Sequence, residues 1–232
     1  CVKGGSVTVN TSYEGLEGAY VEISGGAVSV VSSDDGINAA SDDTSIKEYI
    51  LISGGEIVVD AEGDGLDSNG SILMSGGNVT VHGPTGGGDG ALDAETGIIV
   101  QGGTLYAAGS LGMVETPSSN SAQYVLSYAQ SSAIAAGTTI TVTNSDGATI
   151  FTTTAKKSCQ TVIISLAEFV SGGSYTISLN DGTSATFTIS SIVISVGASS
   201  AGGGMGGQPG GNQPGMPGGQ PGGNRPGGFG GK

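Results

Sequence analysis

The 232-residue chain has no Trp, one His, two Cys and only six Lys and Arg against 20 Asp and Glu. Aromatics make up 5% of it. With a formal charge of −14, it is not built for DNA, RNA or an anionic membrane, since binding each of these rests on Lys and Arg. No apolar run approaches the length of a membrane span. A Ser–His–Asp site could be assembled only around His82, which sits in the turn His82-Gly83-Pro84 and reads as an exposed loop histidine. Two cysteines far apart in sequence, Cys1 and Cys159, leave a disulfide open only between chains or through an unusual folding of one chain. The chain opens on Cys1-Val2-Lys3 without an initiator Met, and reads as a processed product or a piece of a longer protein.

What is abundant is Gly, 46 residues, and acid in the first half. Residues 1–115 hold 17 acids and two bases, Lys3 and Lys47, a charge of −15; residues 116–232 hold three acids and four bases, a charge of +1. Three regions follow: an acidic part over 1–117, a Ser/Thr-rich neutral part over 118–197, and a Gly/Pro-rich tail over 198–232 too poor in apolar residues to offset its own ordering entropy.

The acidic part repeats. Gly–Gly pairs stand at 4–5, 25–26, 54–55, 76–77 and 102–103, separated by 21, 29, 22 and 26 residues. Aligned on the pair, Val7, Val28, Ile57, Val79 and Leu105 share a column, and Val9, Val30, Val59, Val81 and Ala107 the next. Before the pair, Val21, Ile50, Ile72 and Ile98 align, as do Ile23, Ile52, Met74 and Val100; a fifth column holds Leu16, Ile37, Leu66 and Leu92. Apolar residues two apart mark strands. A coil of 21–22 residues with insertions in the second and fourth turns predicts an all-β, parallel β-helix with three short strands per coil and Gly–Gly at a corner. An antiparallel sandwich would not demand five aligned columns. Val2 aligns with Ile23, so the first coil is incomplete, and either earlier coils or another chain is expected to cover its edge.

The alignment also stacks acids. Glu14-Gly15-Leu16-Glu17, Asp35-Gly36-Ile37-Asn38 and Asp64-Gly65-Leu66-Asp67 each place their Gly ten residues after the pair, and Asp89-Gly90-Ala91-Leu92-Asp93 follows with its first acid one position earlier. Glu17, Asn38, Asp67 and Asp93 form one column, Glu14, Asp35 and Asp64 a second, with Asp34 beside it. Carboxylates about 5 Å apart repel by about 0.8 kcal/mol in water and about 3 at an effective dielectric of 20. Two lysines cannot neutralise this ladder. An all-oxygen set with Asn38, Asn69 and turn carbonyls suits a hard cation, Ca²⁺ above Mg²⁺ in irregular turns, and Zn²⁺ is disfavoured without a Cys/His cluster. The alternative is a solvated acidic face with no ion.

The strings EGLEGAYVEISGG, SDDGINAA, GDGLDSNGSILMSGGNVTVHGP and GALD resemble the clostridial carbohydrate-binding β-helix proteins, bacterial proteins that are secreted or held at the cell surface. The resemblance covers residues 1–115, and the later regions look like the C-terminal part of such proteins. It implies that the parallel β-helix is right-handed and pectate-lyase-like, with Ca²⁺ and binding of acidic or cellulosic polysaccharide, and with Glu17, Asp35, Asn38, Asp64, Asp67, Asp89 and Asp93 as cation ligands.

Catalysis finds little to stand on. A β-elimination lyase needs a base at the substrate, and the β-helix offers only Lys3 and Lys47, with no Arg before Arg225. Polygalacturonases share the fold and use clustered Asp, but their His and Arg–Lys clamps have no counterpart. Sugar platforms could come from Tyr13, Tyr20 and Tyr49, each of which also reads as an ordinary surface residue. The function expected is a non-catalytic, calcium-stabilised extracellular polysaccharide-binding protein. The alternatives are a filament or surface-layer subunit that polymerises through its first coil and tail, and a lyase- or polygalacturonase-like enzyme. In the neutral part, Asn144-Ser145-Asp146-Gly147 and Asn180-Asp181-Gly182 signal hairpins among about seven strands, which predict a small antiparallel sandwich or a cap on the helix end.

Overall fold

The computed structural model describes residues 1–198; residues 199–232, nearly all of the Gly/Pro-rich segment, lie outside the described residues. It is all-β. The first ten strands are β1 Val2–Val9, β2 Leu16–Glu17, β3 Tyr20–Ser32, β4 Ile37–Ala39, β5 Tyr49–Ala61, β6 Leu66–Ser68, β7 Ser71–His82, β8 Leu92–Ala94, β9 Gly97–Val100 and β10 Thr104–Gly109. They stack in parallel as a solenoid. The long strands pair in the order β1-β3-β5-β7-β10, with β9 beside β7, and the short ones in the order β2-β4-β6-β8.

Register follows the sequence columns. Leu16 pairs with Ile37, Ile37 with Leu66, and Leu66 with Leu92. Val28 pairs with Ile57, and Ile57 with Val79. These inward residues form one core, most of them less than 3% exposed. The expectation of three short strands per coil is corrected in one respect. In β3, β5 and β7 the segments on either side of Gly–Gly form one continuous strand, so these coils have one long and one short strand, whereas around Gly102-Gly103 they stay apart as β9 and β10. The second Gly of the pair takes a positive φ, 101° at Gly55, which bends the strand and shifts its register without ending it.

Seven more strands follow: β11 Val125–Ile134, β12 Thr139–Asn144, β13 Thr149–Thr154, β14 Cys159–Ser165, β15 Ser174–Leu179, β16 Ser184–Thr188 and β17 Val193–Gly197. The two hairpins read from Asn–Gly-type turns are β12–β13 and β15–β16. Sandwich and cap turn out to be one arrangement. Strands β14, β11 and β17 continue the long sheet beyond β10, and β13-β12-β15-β16 form a second sheet over it. Strand β10 is the hinge of this packing. Leu105 and Ala107 face the solenoid core, while Tyr106 and Ala108 face a second core shared with Leu126, Ile140, Ile177 and Phe187. Val125 and Ile163, from the added strands, close the end of the first core. No helix is long and apolar enough to cross a membrane among the described residues.

His82 departs from its reading as an exposed loop residue. It ends β7 and is 9% exposed, edge-on to Tyr106 with ring centroids 5.9 Å apart. Lys156 and Lys157, on the connection between β13 and β14, line the same pocket as His82, and burial pushes the imidazole pKa down, although Asp60 pulls the other way. Cys1 is exposed and Cys159 buried, and both are free.

Candidate functional site

Each short strand has the pattern inward–outward–inward, so its middle residue leaves the core: Asn38 between Ile37 and Ala39, Asp67 between Leu66 and Ser68, Asp93 between Leu92 and Ala94. Pairing puts Glu17 beside Asn38, Asn38 beside Asp67 and Asp67 beside Asp93. Glu17, on the outermost rung, is exposed.

The second column comes from the turn that leads into each short strand. Gly15 N–H donates to Asp35 C=O, Gly36 N–H to Asp64 C=O, and Gly65 N–H to Gly90 C=O. The fourth place in the column is therefore taken by Gly90, and Asp89 stands one step outside it, exposed. The motif glycines have a steric reason. A Cβ on Gly36 would strike Val59 Cγ1 and lie 2.5 Å from Gly65 O. The acids brace one another's coils: Asp35 Oδ1 accepts from Asp64 N–H at 2.8 Å, and Asp64 Oδ1 accepts from Gly90 N–H at 2.5 Å.

The two columns meet. Asp64, Asp67 and Asp93 offer one carboxylate oxygen each, all within 4.8 Å of one another. Next to them, Asn38 Nδ2 donates to Glu14 Oε2 and Asp35 Oδ2, each at 3.3 Å. Its Oδ1 is shielded from solvent and has no hydrogen-bond partner. Burial is the main reason Asp35, Asp64 and Asp67 resist ionisation. It pushes Asp64 up to about 7, with Asp93, Asp35 and Asp67 adding to the effect. It pushes Asp35 and Asp67 up to about 6, with Glu14 among the neighbours raising both. Two ligands of one Ca²⁺ at roughly 2.3–2.6 Å can stand up to about 5 Å apart, so the triad's oxygens can share an ion.

Other candidates lie apart from the triad. Asp34 sits in the adjacent stack Tyr13–Asp34–Gly63, and its carboxylate holds the Tyr13 hydroxyl, raising that group's pKa. Tyr20 and Tyr49 stack on neighbouring rungs of the long sheet with ring centroids 4.9 Å apart, and Tyr49 Oη donates to Glu22 Oε1 at 2.6 Å. Tyr13 is not part of this stack. One acid was missed in the sequence. Glu115 Oε2 accepts from Ala94 N–H at 3.0 Å, and its pKa is raised by burial and then by Asp93. It lies one coil period beyond Asp93, a spacing that could have revealed it.

A carbohydrate-binding domain-containing protein family matches residues 1–201. The chain belongs to this family. Membership bears out the resemblance carried by the motif strings, and gives the protein a carbohydrate-binding role. The match runs through the solenoid, the second sheet and the added strands together, so the acidic ladder and the stacked tyrosines both lie within it. No curated protein and no solved structure matches the chain.

Proposed function

We propose that the chain is a non-catalytic, extracellular polysaccharide-binding protein whose solenoid is held by Ca²⁺ at the acidic ladder. The observation that carries the calcium reading is the convergence of Asp64, Asp67 and Asp93. They are half-buried and have no cation beside them; among the described residues, ion pairs are made only by Lys156 and Lys157, with Asp60 and Glu62. An ion there would replace the mutual repulsion of three carboxylates with attraction, and Asn38 Oδ1 is a further oxygen without a partner. Such irregular sites in extracellular modules bind in the range of roughly 10⁻⁴–10⁻³ M, which suits the calcium outside cells. Binding of polysaccharide rests on family membership.

Thermal melting with and without chelator tests the metal. A ligand that binds only the native state stabilises it, by about 2.7 kcal/mol at a hundredfold excess over Kd, so calcium should raise Tm by several degrees. The rise should vanish in Asp67→Asn/Asp93→Asn. Equal Tm with saturating calcium and with chelator would remove the metal from the proposal.

A further inference from the structure

Three cavities join along the corner that follows the short sheet. The first, about 190 Å³, lies beside Tyr49, Leu51 and Leu73. The second, about 630 Å³, lies against the 41–48 loop. The third, about 420 Å³, reaches Thr116 and Ser118. The first two share Lys47, Glu48 and Ser71, and the last two share Glu95 and Thr96, so together they form one groove. Along it, Tyr20 pairs with Tyr49, Tyr49 with Ser71, and Ser71 with Gly97. The groove therefore runs across the coils, parallel to the solenoid axis, with a rung about every 4.8 Å.

Its chemistry is mixed in a particular way. One end carries Tyr49, and just beyond the lining Tyr20, 50% exposed, packs against its ring at 4.9 Å with the planes tilted by 33°. Beyond them come hydroxyls and carboxylates. Lys47 makes no ion pair among the described residues, whereas Lys156 and Lys157 are taken by Asp60 and Glu62.

We infer that this groove is the glycan site and that it takes a linear, uncharged polysaccharide chain. The inference rests on the carbohydrate-binding reading and adds to it the place and the class of ligand. The aromatic faces, negative at their centres, suit the C–H face of a pyranose ring. Glu48 and Glu95 accept from sugar hydroxyls while Lys47 and the Ser41, Thr44 and Ser71 hydroxyls donate; Thr96 Oγ1 already donates to Gly70 C=O and can only accept. A polyuronate would meet three carboxylates, Glu48, Glu95 and Glu115, against one ammonium, Lys47, on a protein of charge −14. The acidic ladder serves the fold, and it touches the groove through Glu115, which lines the far end and bears on Asp93.

The test is calorimetric titration of the full chain in calcium with cello-oligosaccharide, soluble xylan, soluble mannan and polygalacturonate. At least one neutral glycan should bind. Tyr20→Ala should weaken it by up to about tenfold, the scale of one lost aromatic contact, and Tyr20→Phe should restore it. Thr96→Arg, which fills the groove, should abolish binding. Both positions face solvent, and losing the Tyr20 contact with Tyr49 or the Thr96 Oγ1 bond to Gly70 C=O should lower Tm by no more than a few degrees, so that all three variants stay folded. Neutral-glycan binding untouched by Tyr20→Ala and Thr96→Arg would overturn the groove and leave the carbohydrate reading standing. Tighter binding of polygalacturonate than of any neutral glycan would overturn the ligand class. Failure of the unaltered chain to bind any of the four would overturn both readings.

Discussion

At the scale of single residues, the ladder acids are an unusual use of burial. Asp35, Asp64 and Asp67 have folded pKa values above 3.8, the ordinary value for Asp. In the metal-free chain the folded state therefore holds more protons than the unfolded state between about pH 4 and 7, and stability must fall as pH rises through that window. Asp64→Asn keeps an oxygen for Gly90 N–H and removes the charge. The variant should melt above the metal-free parent near neutral pH, and the difference should shrink towards zero as pH approaches about 4. If the proposed calcium site is right, calcium should reverse the order, because only the parent offers the full carboxylate set. Melting curves at several pH values, with chelator and with calcium, check both signs. A metal-free Asp64→Asn chain no more stable than the parent at neutral pH would mean that Asp64 carries no penalty.

At the scale of elements, the rungs were legible because two periods coincide in the sequence. Apolar residues two apart mark each strand, and the coil period of about 21–22 residues puts Leu16, Ile37, Leu66 and Leu92 in one column, which pairs in that order. The Gly–Gly pair was harder to read. A positive φ at its second member is compatible with a corner or with a bend inside one strand, and only the pairing on both sides decides for the bend. His82 was illegible for a different reason: Tyr106 covers it, and Lys156 and Lys157 line the same pocket, contributions from far along the chain. The groove was missed because its walls come from turns and an insertion that carry no period. Leu66, 2% exposed between Ile37 and Leu92, is the sharpest test of the rungs. Leu66→Ala should cost about 2–5 kcal/mol in denaturant unfolding. A cost below 1 kcal/mol would show that the short strands do not stack on one another in the folded core.

At the scale of the whole molecule, the two cores cannot come apart as separate domains joined by a linker would. The long sheet passes from the parallel solenoid into the antiparallel strands without a break, through five antiparallel pairs between β10 and β14. Both faces of β10 are buried, one in each core, and Val125 and Ile163 complete the solenoid core from the far side. Lys156 and Lys157, on the connection between β13 and β14, reach back to Asp60 at 2.7 and 3.0 Å, and lower its pKa against the opposing effect of burial. Losing the second sheet would expose Tyr106 and the end of the first core together. The chain should therefore unfold in one calorimetric transition, with a calorimetric enthalpy equal to the van't Hoff value. Phe187→Ala in the second core and Leu66→Ala in the first should lower the same Tm. Two resolved transitions, each moved by only one of these substitutions, would mean that the shared sheet does not couple the cores.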